Sequence, residues 1–322
     1  CVLVFKGREA RKNKDILLLN DSLISLLNHK PGFYLGKNIL SLSRNEKLND
    51  CLAKAVEGQK QIMDMNINNR QWQLLADPIY NNDKFLGVLC LILDITERKE
   101  MDQIKQEFTS NVSHELKTPL TSILGYAEMI DQGIAKPEDI RLFANKIHQE
   151  AERLLTLIGD IIRLSQLDEM NMEIDKEEIN LYAIAQECLD NLTVYAKKRQ
   201  VKLSLTGEDC CILANKMMME ELIYNICDNA IRYNKLGGEV HLQIYQRSAE
   251  LVINLKDTGV GIAPEHQKRI FERFYRVDKS HSKETGGTGL GLAIVKHIVE
   301  RQQGHLSLFS REGLGTEIEI IF

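Results

Sequence analysis

Two stretches of the sequence carry apolar residues at the spacing of an amphipathic helix, and this pattern limits the possible folds more than any other feature. At 3.6 residues per turn, the apolar positions of the first stretch fall in one stripe about 120° wide. They are Phe108, Val112, Leu116, Leu120, Ile123, Ala127 and Ile130. The second stretch repeats the pattern with Phe143, Ile147, Ala151, Leu154, Ile158 and Ile161. Because Gly133 and Pro137 between them suit a helix end and a helix start, the sequence predicts two long antiparallel helices.

Two helices with one apolar stripe each cannot bury both stripes alone. Pairing two such hairpins into a dimeric four-helix bundle would bury them, so the sequence predicts a homodimer. His114 and Thr118 lie about 200° and 240° from Val112 on the helical wheel, which places both on the solvent side. Pro119 inside the first helix typically costs about 3 kcal/mol, so stability alone does not explain it. By itself, the pattern also fits a dimerising linker with an incidental surface histidine.

The rest of the chain has a different periodicity. Residues 1 to about 94 are rich in strand-like segments, with a helical stretch from Asn49 to Glu57. From Asn180 onward, helices alternate with strands, which is typical of an α+β domain. The sequence therefore predicts a multidomain α+β chain. Its predicted domains are 1–95, 96–170 and 171–322.

The composition excludes several classes of protein. With 43% hydrophobic residues among 322, the chain is too apolar for disorder and long enough for several compact domains. A net charge of -5 gives no overall attraction for nucleic acid, which is therefore not an expected partner. The cysteines lack the spacing of a zinc site and are expected to be reduced thiols.

The sequence predicts no membrane crossing. Its longest apolar run, from Phe85 to Leu93, is about half of the roughly 20 residues that a spanning helix needs. The chain begins at Cys1 inside the strand-like segment CVLVF, so we expect that upstream sequence, including a membrane anchor of the full-length protein, has been removed. The fragment itself is expected to be cytoplasmic.

Three motifs in the last domain suit a nucleotide. Asn225 and Asn229 are four residues apart on one helix face, and amide oxygens are suitable ligands for Mg²⁺. Asp257 ends an apolar strand in DTGVGI, where its carboxylate can accept a hydrogen bond from an adenine amino group and the following glycines allow close approach. The run GGTGLGLAIVKHIVE places glycines directly before a helix, whose N-terminus suits phosphates. Each motif alone also fits a loop or a helix cap, but their common order favours a nucleotide site.

The segment FTSNVSHELKTPLTSILGYAEM, from Phe108 to Met129, resembles the H box of the HisKA family of two-component sensor kinases. The resemblance implies that His114 is the phosphoacceptor. A neutral imidazole is a nucleophile at cellular pH, and Glu115 is expected to act as its base. By the same resemblance, Glu115 and Thr118 match the ExxT pattern that positions water when these kinases dephosphorylate their regulator.

The nucleotide motifs, with FERFYR between the second and the third, resemble the ATP-binding α/β sandwich shared by histidine kinases, gyrase and the heat-shock protein 90 chaperones. By this resemblance, Asn225 and Asn229 hold Mg²⁺, Arg232 reaches phosphate, Tyr233 contacts the nucleotide and Asp257 reads adenine. Further ATP-binding positions are Gly259, Gly261, Ile262, Tyr275, Arg276, Gly287, Thr288, Gly289, Leu290, Gly291 and Leu292. Position 232 is Arg where lysine is frequent, which changes its reach. A lid from 264 to 285, with Lys279 and Lys283, is expected to close over the phosphates.

The first domain resembles a PAS sensory domain with an α/β fold at the junction LCLILDITERKE, and its ligand or signal is unknown. Together the resemblances imply a sensor histidine kinase, similar to phosphate-sensing and cell-wall-sensing kinases. Such a protein phosphorylates itself from Mg-ATP and passes the phosphoryl group to an aspartate in the receiver domain of a response regulator. The alternatives are a gyrase-like ATPase, a serine kinase of the anti-sigma type, and a silent PAS scaffold.

Overall fold

The structure is a computed structural model that describes most of the chain. The described residues are 2–7, 14–20, 22, 36–38, 46–82, 84–169, 176–248, 250–277 and 287–322. Lys279 and Lys283 of the expected lid lie outside them. The chain divides into two compact units, Cys1–Thr109 and Ser110–Phe322. Within the described ranges, no helix combines the length and the hydrophobicity that crossing a membrane requires.

The described part of the first unit contains an antiparallel sheet, a helix that packs on it and the start of a longer helix. Its elements are β1 (Val2–Gly7), β2 (Lys14–Leu19), α1 (Glu46–Val56), β3 (Gln61–Ile67), β4 (Arg70–Asn81) and β5 (Lys84–Asp94). The strand order is β2-β1-β5-β4-β3. Helix α1 covers one face of the sheet, where Leu52 and Ala55 share a buried core with Leu74, Val88 and Cys90. Burial raises the pKa of Cys90 to about 12, so this thiol stays protonated, as expected for a reduced core cysteine.

Strand β3 was not expected from the sequence. Its residues alternate between half-buried and exposed, with Met63 and Met65 packed against the core and the intervening side chains in solvent. Asn68 and Asn69 both have positive φ angles, 53° and 61°, and they form the tight turn that pairs β3 with β4. The two asparagines of the turn therefore indicate this hairpin more clearly than the sequence of β3 does, because β3 is half polar.

The junction after β5 is fixed by a small hydrogen-bond network. The Asp94 carboxylate accepts hydrogen bonds from the backbone N–H of Thr96 at 3.0 Å and from its hydroxyl at 2.5 Å. The backbone N–H of Gln71 on β4 donates to the Thr96 hydroxyl at 3.0 Å. The hydrogen bonds from Thr96, together with the nearby Arg70 guanidinium, hold the pKa of Asp94 below its usual value. The DIT segment thus ties the sheet to helix α2 (Thr96–Asp131), which continues through His114.

The second unit contains the hairpin of α2 and α3 (Ile140–Glu169) followed by an α/β domain. The elements of that domain are β6 (Glu177–Asn180), α4 (Leu181–Lys198), β7 (Lys202–Gly207), β8 (Cys211–Ala214), α5 (Lys216–Arg232), β9 (Glu239–Arg247), β10 (Glu250–Asp257), α6 (Pro264–Gln267), α7 (Gly291–Arg301), β11 (His305–Arg311) and β12 (Gly315–Ile321). The main sheet has the order β11-β12-β10-β9-β7, and β6 pairs separately with β8. The predicted hairpin and the predicted alternation of helices and strands are therefore both present.

Side-chain alternation explains why Asp257 faces the interior of this domain. Leu242, Leu255 and Ile318 are direct neighbours on β9, β10 and β12, and all are buried on the face that α4, α5 and α7 cover. Asp257 lies two residues after Leu255, so it belongs to the same face at the end of the strand. A carboxylate is thereby placed at the edge of an apolar core.

Within one chain, the hairpin buries only part of its apolar surface. Leu120 and Ile158, which the helical periodicity placed in the buried stripes, are 48% and 39% exposed. Leu124, Leu155 and Ile162 are also exposed. This agrees with the expectation that one hairpin cannot bury both stripes, because two packed helices cover only the inward half of each other's apolar face. Pro119 lies inside α2, as expected, and is buried.

Candidate functional site

The second unit contains a cavity of about 1370 Å³ between the helices and the end of the sheet. The sequence-predicted positions that line it are Asn225, Asn229, Arg232, Tyr233, Asp257, Gly261, Ile262, Tyr275, Arg276, Gly287, Thr288, Gly289, Gly291 and Leu292. Predicted positions that are not among the described lining residues are His114, Glu115, Thr118, Gly259 and Leu290. The structure thus brings the three nucleotide motifs together at one cavity and leaves the histidine motif outside it.

Asp257 presents one carboxylate oxygen to the backbone and keeps the other available. Its Oδ1 accepts hydrogen bonds from the backbone N–H groups of Gly259 at 2.7 Å and Thr316 at 3.3 Å. Among the described residues, no hydrogen bond to Oδ2 is present. Burial raises the pKa of Asp257, and the two backbone hydrogen bonds oppose that shift. The arrangement leaves one oriented acceptor for a ligand donor such as an amino group.

Two glycines after Asp257 are required by close backbone approach. A Cβ on Gly259 would lie 2.5 Å from the carbonyl oxygen of Tyr233. Gly261 has a φ of +68°, and a Cβ there would collide with the carbonyl of Arg311. Ile262 follows with its backbone N–H donating to the Ser310 hydroxyl at 2.9 Å. These contacts hold the DTGVGI segment against the end of α5 and the loop between β11 and β12.

The two asparagines lie next to the start of α7. A Cβ on Gly291 would be 2.7 Å from Oδ1 of Asn225 and 3.5 Å from Nδ2 of Asn229. The Asn225 amide donates from Nδ2 to the carbonyl of Glu221 at 2.8 Å, which leaves its oxygen directed toward Gly291. Both amides therefore reach the N-terminus of α7, where backbone N–H groups favour anions. An amide oxygen beside an anion site fits a Mg²⁺ ion that accompanies a polyphosphate.

Replacing Gly291 with alanine is expected to weaken nucleotide binding about tenfold without lowering the melting temperature. The new methyl would displace the Asn225 amide, whereas alanine is a better helix former than glycine. The measurement is the Kd for Mg-ADP by titration calorimetry, together with thermal unfolding. The control is Gly125→Ala, because Gly125 is helical and has nothing within 4 Å of a Cβ, so it should leave the Kd unchanged. An unchanged Kd in Gly291→Ala would contradict the assignment of Asn225.

Arg232, which the sequence predicts to reach phosphate, already has a carboxylate partner. Arg232 donates to the Asp228 carboxylate from Nη2 at 2.7 Å and from Nε at 3.2 Å. This pairing was not predicted, although an opposite charge four residues earlier on a helix indicates it. Arg276 lines the cavity, and burial lowers the pKa of its guanidinium. Tyr233 directly follows α5 and lies beside Gly287, because a Cβ built on Gly287 would be 3.1 Å from the Tyr233 hydroxyl.

Tyr275 is held by two neighbours that the sequence motifs did not indicate. Its hydroxyl is 2.7 Å from Nδ1 of His266, and the Arg269 guanidinium lies over its ring at 4.2 Å from the centroid. Gly289, with a φ of +74°, accepts a hydrogen bond from the backbone N–H of Phe274 at 2.9 Å. The segment that carries Tyr275 and Arg276 is therefore fastened to the glycine-rich loop on one side and to His266 on the other.

His114 is exposed on α2, as the helical wheel predicts. The Thr118 hydroxyl donates to the His114 carbonyl at 3.2 Å. The Glu115 carboxylate lies 3.8 Å from Nη2 of Arg153 on α3. The side chains of adjacent helix residues point about 100° apart. This explains why the Glu115 carboxylate reaches α3 rather than the imidazole ring of His114.

Two sequence families match parts of this chain. Residues 104–169 match the His Kinase A (phospho-acceptor) domain, and residues 214–322 match the histidine kinase-, DNA gyrase B-, and HSP90-like ATPase. The sensor histidine kinase WalK of Bacillus subtilis (strain 168) is 32% identical over 321 residues, which are 95% of this chain and 51% of WalK. The sensor-like histidine kinase SenX3 of Mycolicibacterium smegmatis is 36% identical over 226 residues, 69% of this chain and 58% of SenX3. The chain spans about half the length of the curated relatives it matches.

A solved structure has a similar fold. The histidine kinase ThkA, in a complex with the response regulator protein TrrA, superimposes with a TM-score of 0.57 at 21% identity. The match covers 100% of this chain and 94% of that one. At this identity the likeness concerns the fold alone. It confirms the expected fold class of the second unit, a helical hairpin followed by an α/β domain of the ATPase type.

Proposed function

Because this chain belongs to the sensor histidine kinases, we propose that it transfers the γ-phosphoryl group of ATP to His114 and then to an aspartate of a response regulator. The observation that carries the proposal is the cavity of the second unit. Asn229, Asp257 and the glycine-rich segment before α7 are remote in sequence, and the cavity brings them together. The same chain exposes His114 on a helix.

The wall of the cavity supplies complementary groups for each part of ATP. Oδ2 of Asp257 would accept a hydrogen bond from the adenine amino group, and Gly261 lets the DTGVGI segment pack closely against the carbonyl of Arg311. The N-terminus of α7 and Thr288 receive the phosphates. Asn225 and Asn229 would hold Mg²⁺, which neutralises phosphate charge when it is bound. Among the described residues, binding and orientation thus come mainly from backbone groups, amides and one carboxylate.

The chemical step is a displacement at the γ-phosphorus. An imidazole nitrogen of His114 attacks, the bond to the oxygen that bridges the β and γ phosphorus atoms breaks, and ADP leaves with that oxygen. Glu115 accepts the proton of the other ring nitrogen as positive charge develops on the ring. For this role, the Glu115 carboxylate must turn from Arg153 toward His114.

The cavity and the acceptor must approach each other for this reaction. His114 is not among the described residues that line the cavity. The α/β domain would therefore move on the hairpin before transfer, and bringing the γ-phosphate up to His114 would be the main part of catalysis.

The phosphoryl group leaves His114 for a receiver domain. The solved ThkA structure is a complex with a response regulator protein, and we propose a partner of the same class for this chain. Glu115 and Thr118 would also orient water for dephosphorylation of that partner. Residues 1–95 would act as a PAS-type sensory domain with an unidentified ligand, and the Asp94–Thr96 network would couple it to the His114 helix.

The exposed apolar residues of the hairpin favour a homodimer. Replacing Leu124, which is 54% exposed in one chain, with glutamate is expected to shift the protein to monomers at micromolar concentration, because a charge cannot be buried in a helical bundle without a partner. Analytical ultracentrifugation measures the change. Leu236→Glu, at a 78% exposed residue of the α/β domain, is the control and should stay dimeric. A monomeric wild type would rule out the bundle.

The experiment that tests the activity is incubation of the chain with γ-labelled ATP and Mg²⁺. We expect protein-bound label that acid removes and base does not, as for phosphohistidine, and transfer of that label to an added receiver domain. ATP turnover without labelled protein would favour the gyrase-like ATPase. Acid-stable label would favour a serine kinase.

A further inference from the structure

The second half of α3 is fastened to the α/β domain at several points. The Thr288 hydroxyl donates to Oδ2 of Asp160 at 2.7 Å. Further along, Arg163 lies 3.6 Å from the Glu221 carboxylate, and the Leu167 carbonyl accepts a hydrogen bond from Arg301 at 3.0 Å. Leu164 and Leu167 are fully or almost fully buried between these polar contacts. We call residues 160–167 the docking segment.

The contact with Thr288 occupies the glycine-rich loop of the cavity. Thr288 stands between Gly287 and Gly289, directly before α7, and both it and Asp160 line the cavity. Under the proposed function, the phosphates of ATP bind at this loop. A carboxylate that already holds the Thr288 hydroxyl competes with them for the same donor. The Asp160 side chain is only 14% exposed, so water screens its charge weakly.

The charges around Asp160 do not cancel. Arg163 is shared between two carboxylates, with Nη1 3.8 Å from Asp160 and Nε 3.6 Å from Glu221. Asp228 is neutralised separately by Arg232 at 2.7 Å. These close ion pairs therefore supply a single cation, Arg163, for both Asp160 and Glu221, so one negative charge is not balanced by them. The resulting negative charge opposes an incoming polyphosphate, whereas the docked arrangement itself is held by the Thr288 hydrogen bond and the buried leucines.

We propose that Asp160 is a latch that the phosphates of ATP displace, so that nucleotide binding itself releases the docking segment and frees the α/β domain to reach His114. The inference rests on the proposed function, because it requires ATP in this cavity. Since linkage between two equilibria is reciprocal, weakening the latch must strengthen the binding of ATP. The same weakening should not affect a ligand that lacks phosphates.

The test compares the Kd of a non-hydrolysable ATP analogue with Mg²⁺ for the full chain and three variants. Asp160→Asn should bind it about 5–20-fold more tightly, whereas adenosine should bind equally to both. Arg301→Gln removes one of two contacts at the far end of the docking segment, leaving Nε2 of His297 3.2 Å from the Leu167 carbonyl, and should tighten the analogue about 2–5-fold. Glu152→Gln removes a carboxylate that is 68% exposed on the same helix, and should change nothing.

A second measurement needs no variant. In the wild type, adding the analogue should increase hydrogen exchange of residues 160–167 several-fold, while residues 291–301 become more protected. Wild-type binding with no tightening in Asp160→Asn and no faster exchange in the docking segment would overturn the latch alone. Absence of nucleotide binding in the wild type and in every variant would overturn the proposed function, and the latch with it.

Discussion

His114→Gln is expected to abolish phosphorylation of the chain, reducing the acid-labile label by roughly 1000-fold or more, to background. Glutamine keeps the size and polarity of the side chain but has no nitrogen lone pair that attacks phosphorus. His114 is exposed and is not among the described residues that line the cavity, so its replacement should change neither stability nor the affinity for ATP. The loss should therefore lie in the chemical step alone.

His148→Gln is the matched control for this result. His148 is also an exposed histidine of the hairpin, with 72% of its side chain in solvent beside Glu152, but it lies on α3 outside the HELKTP motif. It should keep full labelling. Label that persisted in His114→Gln and disappeared in His148→Gln would move the acceptor to the other helix. Label lost in both would indicate that the hairpin surface, rather than one nucleophile, supports the reaction.

Much of the fold follows from local pattern in the sequence. Helix α4 runs from Leu181 to Lys198, as predicted, because its apolar spacing is regular and Oδ1 of Asn180 caps its first turn by accepting a hydrogen bond from the backbone N–H of Ala183. Strand β9 could be predicted equally well, because Val240 and the next two residues at alternate positions of the strand are apolar and buried. Strand β6 was missed because only Ile179 of its sequence EEIN is apolar.

The sequence predicted the residues of each motif, but it did not predict the contacts between distant segments. Asn225, Asp257 and Gly291 each stand in a short segment whose residue types carry chemical information, and the fold places them at one cavity. The Asp160 contact joins residues 128 positions apart, and nothing near Asp160 in sequence indicates a partner in the glycine-rich loop. A helical wheel likewise identifies the apolar face that contains Leu120 but not how many neighbouring helices cover it, and within one chain Leu120 stays exposed.

Asp257→Asn is expected to weaken ATP binding about 100-fold, which corresponds to about 2.7 kcal/mol. The asparagine oxygen can still accept the hydrogen bonds from Gly259 and Thr316, so the fold should be preserved. Its amide nitrogen then takes the place of Oδ2 and presents a donor to the adenine amino group, which is also a donor. Because burial raises the pKa of Asp257, the neutral asparagine should not lower the melting temperature. Calorimetric titration and thermal unfolding measure the two effects.

A change of base separates adenine recognition from general damage to the cavity. Inosine triphosphate carries a carbonyl in place of the amino group, so wild-type Asp257 should bind it poorly and Asp257→Asn should bind it at least as well as ATP. Glu317→Gln removes a carboxylate from the neighbouring strand β12, where it contacts Lys256 and Asn254, and should leave the preference for ATP intact. Equal loss of both nucleotides in Asp257→Asn would mean that the carboxylate supports the shape of the cavity and that another group reads the base.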